Sequence, residues 1–176
     1  MLINLNINQA YLLIDEKYAD GVLVVLMISI AKLYTMSLGN NGAIISNSKY
    51  YKILLPYAIA MALSVYFLND WLISVLSMDG AALSTLVVIL IFNTIKVWYV
   101  QRKFNMQPYS IKTLLLFLLI CIFFAAFYSW DFTFHPIINI VLKTTLITIV
   151  YVFLVFKLKI SIEINNLISK FIKSNQ

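Results

Sequence analysis

Acidic side chains are scarce in this chain: seven in 176 residues, beside one cysteine, one histidine, three prolines and four glycines. The single Cys121 lies inside an apolar run, which excludes an internal disulfide framework and a thiolate metal site. His135 has no carboxylate or cysteine cluster near it in sequence, so no metal is expected. Paired carboxylates, nucleophile–base pairs and glycine-rich phosphate loops are all missing, and the expectation is a protein that is not an enzyme and carries no cofactor. Charge is low as well. Charged residues make up 11% of the chain, against about 25% in soluble domains.

What is present is apolar. Hydrophobic residues account for 62% of the sequence, and mean hydropathy is +0.93. An ordinary core cannot absorb this much apolar surface, so the sequence specifies an integral membrane protein. The runs are continuous and do not alternate, which selects helices over a barrel whose strands would alternate for about 10 residues. A net charge of +6 does not point to nucleic acid, because the basic residues cluster at the ends of apolar runs, where positive flanking of membrane spans accounts for them.

Five runs are long enough to cross a hydrocarbon core of about 30 Å at about 1.5 Å per residue. Their expected bounds are 21–45, 53–69, 80–100, 112–128 and 136–156. The second carries Pro56 in its first turn and extends to residue 76 if Asn69 and Asp70 do not end it. The fifth starts at Pro136, a favoured first-turn residue. A polar segment, 1–20, precedes this 21–156 membrane domain, and a tail, 157–176, follows it. In the tail Ile160, Ile164, Leu167, Ile168, Phe171 and Ile172 share one helical face, which predicts an amphipathic helix lying at the membrane interface. The fold class is therefore an all-α membrane protein of five transmembrane helices plus a C-terminal amphipathic helix.

Charge asymmetry sets an orientation. The first and third connectors and the tail hold Lys49, Lys52, Arg102, Lys103, Lys112, Lys157, Lys159, Lys170 and Lys173. The opposite side has Lys17 and six of the seven acids: Asp15, Glu16, Asp20, Asp70, Asp79 and Asp131. Positive loops stay inside, so the N-terminus is expected outside and the C-terminus in the cytoplasm. An odd span number agrees. Tyr50, Tyr51, Trp71, Trp98, Tyr109 and Trp130 fall at span ends, as an aromatic belt requires. No basic start followed by a short apolar core marks a cleavable signal, and the simplest expectation is that this chain is the last part of a larger polytopic protein.

Residues 21–47 contain the feature that most needs explaining. Lys32 sits in the middle of an apolar run, and steps of three or four collect Ser29, Thr35, Gly39, Asn40, Ala43, Ser46 and Asn47 on its face. A lysine at the centre of a membrane helix costs about 2.5–3.5 kcal/mol on insertion scales, tolerable where it faces protein or a wet cavity. Lys32 thus reads either as a cation for an anionic substrate or as a structural lysine paired with a carbonyl. Lys143, seven residues into the fifth run with Asn139 one turn before it, either faces a cavity or snorkels to the outer interface. Lys96 fits among headgroups with Arg102 and Lys103, and Asn93 is placed to bond a neighbouring helix.

Asn69-Asp70-Trp71-Leu72-Ile73-Ser74 followed by Gly80-Ala81-Ala82-Leu83-Ser84-Thr85 resembles a recurring pattern of polysaccharide flippases. Gly39-Asn40-Asn41-Gly42 with Ser48-Lys49-Tyr50-Tyr51, Lys103 to Ser110, and Lys159-Ile160-Ser161 with Glu163-Ile164-Asn165 resemble further parts of the same proteins in the same order. Ser74 and Ser77 stand where that family usually has proline and glycine, so a looser turn is expected here. The resemblance is to the polysaccharide biosynthesis or oligosaccharide-lipid flippases, in the superfamily that includes multidrug exporters. It implies the last five spans of a two-lobed protein that moves undecaprenyl-pyrophosphate-linked oligosaccharide across a bacterial inner membrane, for polysaccharide or O-antigen export. The implied partners are the lipid-linked oligosaccharide, membrane lipids and a missing or separately encoded N-terminal lobe, without which transport is not expected. The candidate cavity residues are Lys32, Asn40, Asn41 and Lys143. Two alternatives stay open: a small membrane interaction subunit or truncated remnant, and a multidrug or cation exporter fragment, which would be expected to hold an acid inside a span.

Overall fold

The computed structural model describes residues 1–14, 21–107, 109–128, 130 and 135–158. The tail expected to form an amphipathic helix lies outside these residues beyond Leu158, as do Asp15, Glu16, Lys17, Asp20, Pro108 and Asp131. Among the described residues all regular structure is helical. The elements are α1 (Leu2–Leu5), α2 (Ile7–Tyr11), α3 (Val22–Ser37), α4 (Asn41–Ser46), a 3₁₀ turn (Tyr51–Ile53), α5 (Leu54–Phe104), α6 (Ile111–Phe127) and α7 (Pro136–Lys157). Two helical runs, Tyr51–Phe104 and Pro136–Lys157, are long and apolar enough to cross a membrane, whereas α3 and α6 are apolar but shorter. The chain divides into two compact units, Lys17–Ser110 and the combination of Met1–Glu16 with Ile111–Gln176.

In the first of these units, α5 is not a straight rod. Fifty-one residues in one line would reach about 76 Å, yet Tyr57 and Phe92, 35 positions apart, have ring centroids 5.3 Å apart. The reversal falls at Ser77, whose φ of 51° and ψ of −124° interrupt the helix. Two antiparallel arms result, 54–76 and 78–104. Asn69 and Asp70 therefore do not end the second apolar run; they lie inside a helix that continues to residue 76. The turn is also tighter than the sequence suggested. Gly80 lies directly against the Leu72 backbone, where any Cβ would meet the Leu72 carbonyl. The Ser84 hydroxyl shares its one proton between Asn69 Oδ1 on the first arm and the Ala81 carbonyl, stapling the arms. These contacts hold Ser77 in a conformation that glycine adopts freely and serine adopts at a cost of about 1–3 kcal/mol.

The expected first run, 21–45, is likewise not one helix. Gly39 takes a left-handed φ of 61°, which ends α3 before α4 begins, so the polar stripe from Ser29 to Asn47 is split at that turn. Ala31, fully buried, brings α3 against α5. Buried residues of α5 all belong to its second arm: Gly80, Ala82, Ser84, Val88, Val97 and Val100. The first arm contributes none. Its Leu55, Ile59, Leu63, Tyr66, Phe67 and Trp71 are exposed, an apolar surface that suits hydrocarbon. The second arm stops where Asn105, at φ 53°, returns its N–H to the Gln101 carbonyl.

In the other unit the core is Leu5, Leu119, Phe123, Ile147 and Val155. Phe123 anchors it, stacked on Phe127 at 5.8 Å and edge-on to Tyr151 at 5.7 Å. Pro136 opens α7 at its first turn, with His135 before it as N-cap residue, as the sequence indicated. The polar segment 1–20 behaves differently from its composition: its first residues form α1 and α2, and Leu5 joins the core.

Candidate functional site

The polar face of α3 is built from side chains at helical spacing, and the structure sorts them by use. Tyr34 hydroxyl donates to Thr94 Oγ1 at 2.7 Å, since Thr94 spends its own proton on the Leu90 carbonyl. Thr35 donates to the Ala31 carbonyl at 2.9 Å and accepts from Asn93 Nδ2 at 3.2 Å. Asn93 therefore bonds a neighbouring helix, which is the role its position suggested. Polar groups between apolar helices are satisfied by each other, at about 0.6 kcal/mol per bond in measured cases.

Lys32 follows Ala31 directly, so it points about 100° away from the seam. It is exposed, with no hydrogen-bond partner among the described residues. Around it are the exposed Ile30 and Met36 and the hydroxyl of Thr35. An exposed ammonium can hold a phosphate-like oxyanion; the Thr35 hydroxyl adds no bond to it, because its proton is spent on the Ala31 carbonyl. At the end of α3, Tyr109 lies against Ser37 and Tyr34, and withdrawal from water raises its phenol above the ordinary tyrosine value.

Asn40 and Asn41 part company. Asn40 is exposed in the Gly39 turn, while Asn41 is buried and donates from Nδ2 to the Leu38 carbonyl at 2.9 Å. Asn41 thus closes the turn between α3 and α4. Of the two, Asn40 is the one open to a ligand.

Lys143, the fourth candidate, belongs to the other unit. It does not snorkel. Only 2% exposed, it donates from Nζ to the Leu5 carbonyl at 2.9 Å. Asn139, one turn before it, is fully buried. Asn6, at the junction of α1 and α2, donates to the Leu2 carbonyl at 2.9 Å and to Thr144 Oγ1 at 3.1 Å. Asn6 and Thr144 went unnoticed in the sequence because the N-terminal asparagines look like a solvated connector. The available signal was the i, i+3 spacing of Leu2 and Leu5 beside Asn6, an amphipathic turn whose polar residue faces inward.

Charge is segregated along the α5 hairpin. Both described acids, Asp70 and Asp79, lie near the Ser77 turn, whereas Lys49, Lys52, Arg102 and Lys103 lie near the open end. At that end the ammonium groups of Lys49 and Lys103 sit 5.2 and 5.5 Å from the Tyr50 ring centroid. Arg102 lies 5.2 Å from Trp98. Among the described residues no group of three or more His, Cys, Asp or Glu side chains is placed to hold a metal ion. Compared with protein-family models, with curated proteins and with solved structures, the chain matches none.

Proposed function

We propose that this chain is part of a membrane flippase that translocates undecaprenyl-pyrophosphate-linked oligosaccharide for polysaccharide or O-antigen export. The observation that carries the proposal is Lys32: an exposed cation in the middle of an apolar helix. In this reading α3 forms one wall of a central cavity, and Lys32 and Asn40 face the substrate. Lys32 neutralises pyrophosphate charge in one leaflet and releases it in the other, with no bond made or broken. The opposite wall comes from a second lobe.

Five spans are proposed: α3 with its flanking residues, the two arms of α5, α6 and α7. The arms cover about 34 and 40 Å, enough for a core of about 30 Å. Segregation of lysine and arginine from acids along the hairpin supports an open end at the cytoplasmic face and a Ser77 turn outside. The membrane is then a bacterial inner membrane, with the N-terminus outside and the C-terminus in the cytoplasm.

Replacing Lys32 with alanine in the assembled transporter is expected to abolish glycan export at unchanged protein level. Normal export would refute the reading. One observation favours a second possibility, a small interaction subunit that never touches substrate: the first arm of α5 buries no residue of its own and leaves a long face for a partner helix. A photo-crosslinking residue at position 36, exposed one turn from Lys32, separates the two, since it labels lipid-linked sugar in one case and protein alone in the other.

A further inference from the structure

We infer that the open end of the α5 hairpin is a binding site for an anionic phospholipid. The residues concerned are distinct from the Lys32 face, and the inference stands whether or not the chain belongs to a flippase. It begins with charge. Lys49 and Lys103 place two ammonium groups against one ring, that of Tyr50. Tyr99 and Phe104 pack edge-on to the same ring, at 6.2 and 5.8 Å. Lys52 and Arg102 add two more cations in the flanking helical turns. Both described acids lie at the other end of the arms, so the anion that balances this cluster comes from outside the described residues.

Shape then narrows the anion. Beside the cluster runs an open groove of about 740 Å³ lined by Ser46, Tyr51, Lys52, Leu54, Leu55 and Ala58. Lys52 is the one charged residue of its lining. Ser46 spends its proton on the Ala43 carbonyl and so adds no donor. Its wall is apolar: Leu54, Leu55 and Ala58 follow one another along the first turns of the arm. An inorganic anion would satisfy the cations and leave this wall bare. A zwitterionic lipid would cover the wall and bring no net charge. A phospholipid with a net negative headgroup does both, its phosphate at Lys52 and one acyl chain along Leu54, Leu55 and Ala58. Basic residues next to a membrane helix attract such headgroups by Coulomb interaction.

The test uses the full chain with tryptophan at position 51 as the sole reporter (Tyr51→Trp, with Trp71, Trp98 and Trp130 changed to Phe). It is reconstituted in phosphatidylcholine vesicles containing a rising fraction of acyl-brominated phosphatidylglycerol, or of acyl-brominated phosphatidylcholine as comparison. Quenching by the anionic lipid is expected at a several-fold lower mole fraction than quenching by the zwitterionic one. Lys52→Gln is expected to cut that preference by about fivefold, the equivalent of one juxtamembrane lysine, and Lys52→Arg to keep it. Ala58→Phe, which fills the groove without changing charge, is expected to weaken quenching by the anionic lipid. Lys112→Gln, at the start of α6, is expected to leave the preference intact. Equal quenching by the two lipids overturns the proposal. So does loss of the preference on adding inorganic phosphate at constant ionic strength, which would mark an ion site. An equal loss in the Lys112 and Lys52 variants would also overturn it, because the effect would then belong to overall charge.

Discussion

The two compact units each carry a lysine in the middle of an apolar helix, and they treat it in opposite ways. Lys143 on α7 is buried and holds the Leu5 carbonyl of the N-terminal segment. Lys32 on α3 is exposed, next to the seam where Asn93 bonds Thr35 but pointing away from it. Both residues have similar sequence surroundings, an apolar run with an Asn or Ser one turn away. The difference is what another part of the chain brings to them. Residues 138 positions away deliver a carbonyl to Lys143; α5 delivers Asn93 to Thr35 and stops short of Lys32. A buried lysine with partners belongs to its unit's architecture. An exposed one on an apolar surface is available to a ligand or to another chain.

The sharpest way to break this comparison is Lys143→Glu. It buries a carboxylate against the Leu5 carbonyl, two acceptors facing each other, and an uncompensated buried charge costs about 3–5 kcal/mol. Loss of the folded state in detergent, followed by helical signal against temperature, is the expected outcome; unchanged unfolding would mean that Lys143 is not buried. Lys143→Met keeps the length of the side chain and drops the ammonium. It leaves the Leu5 carbonyl unsatisfied, for an expected destabilisation of about 1–3 kcal/mol, visible as a lower midpoint in the same measurement.

Ser77→Gly works in the opposite direction and in the other unit. Glycine takes positive φ without a Cβ clash, so stability is expected to rise by about 1 kcal/mol. That increase shows that unfolding of this unit is being measured. Only then does the last comparison carry weight. Lys32→Met removes an exposed charge with no partner among the described residues, and its effect on stability is expected to stay within about 0.5 kcal/mol. A drop as large as that of Lys143→Met would place Lys32 in the architecture and remove the distinction between the two lysines.

Much of the helix content was legible in the sequence, because it rests on local signals. Pro136 at a first turn, Pro56 in the first turn of α5 and the basic close at Arg102 and Lys103 all stand where expected. The hairpin of α5 was legible in outline, from Asn69 and Gly80–Thr85. Its tightness was not, because Ser77 in place of glycine argues locally for a looser turn, and only the Asn69–Ser84 bond and the fit of Gly80 against Leu72 override it. The break at Gly39 was missed for a related reason. The polar stripe through residues 29–47 fits one continuous helix, and nothing local says which way a single glycine will turn. Among the four candidate residues, exposure was not legible in the sequence. Asn40 and Asn41 are neighbours of identical composition, yet one faces out and the other closes a turn onto Leu38.

The sequence by itself determined that this is a helical, apolar protein, since composition and helix-end residues act over a few turns. The tertiary structure alone decided which lysine is enclosed, where α5 folds back and that the first residues pack with the last helix. Those outcomes depend on which distant backbone and side-chain groups meet, and burial is a property of the meeting, not of the residue.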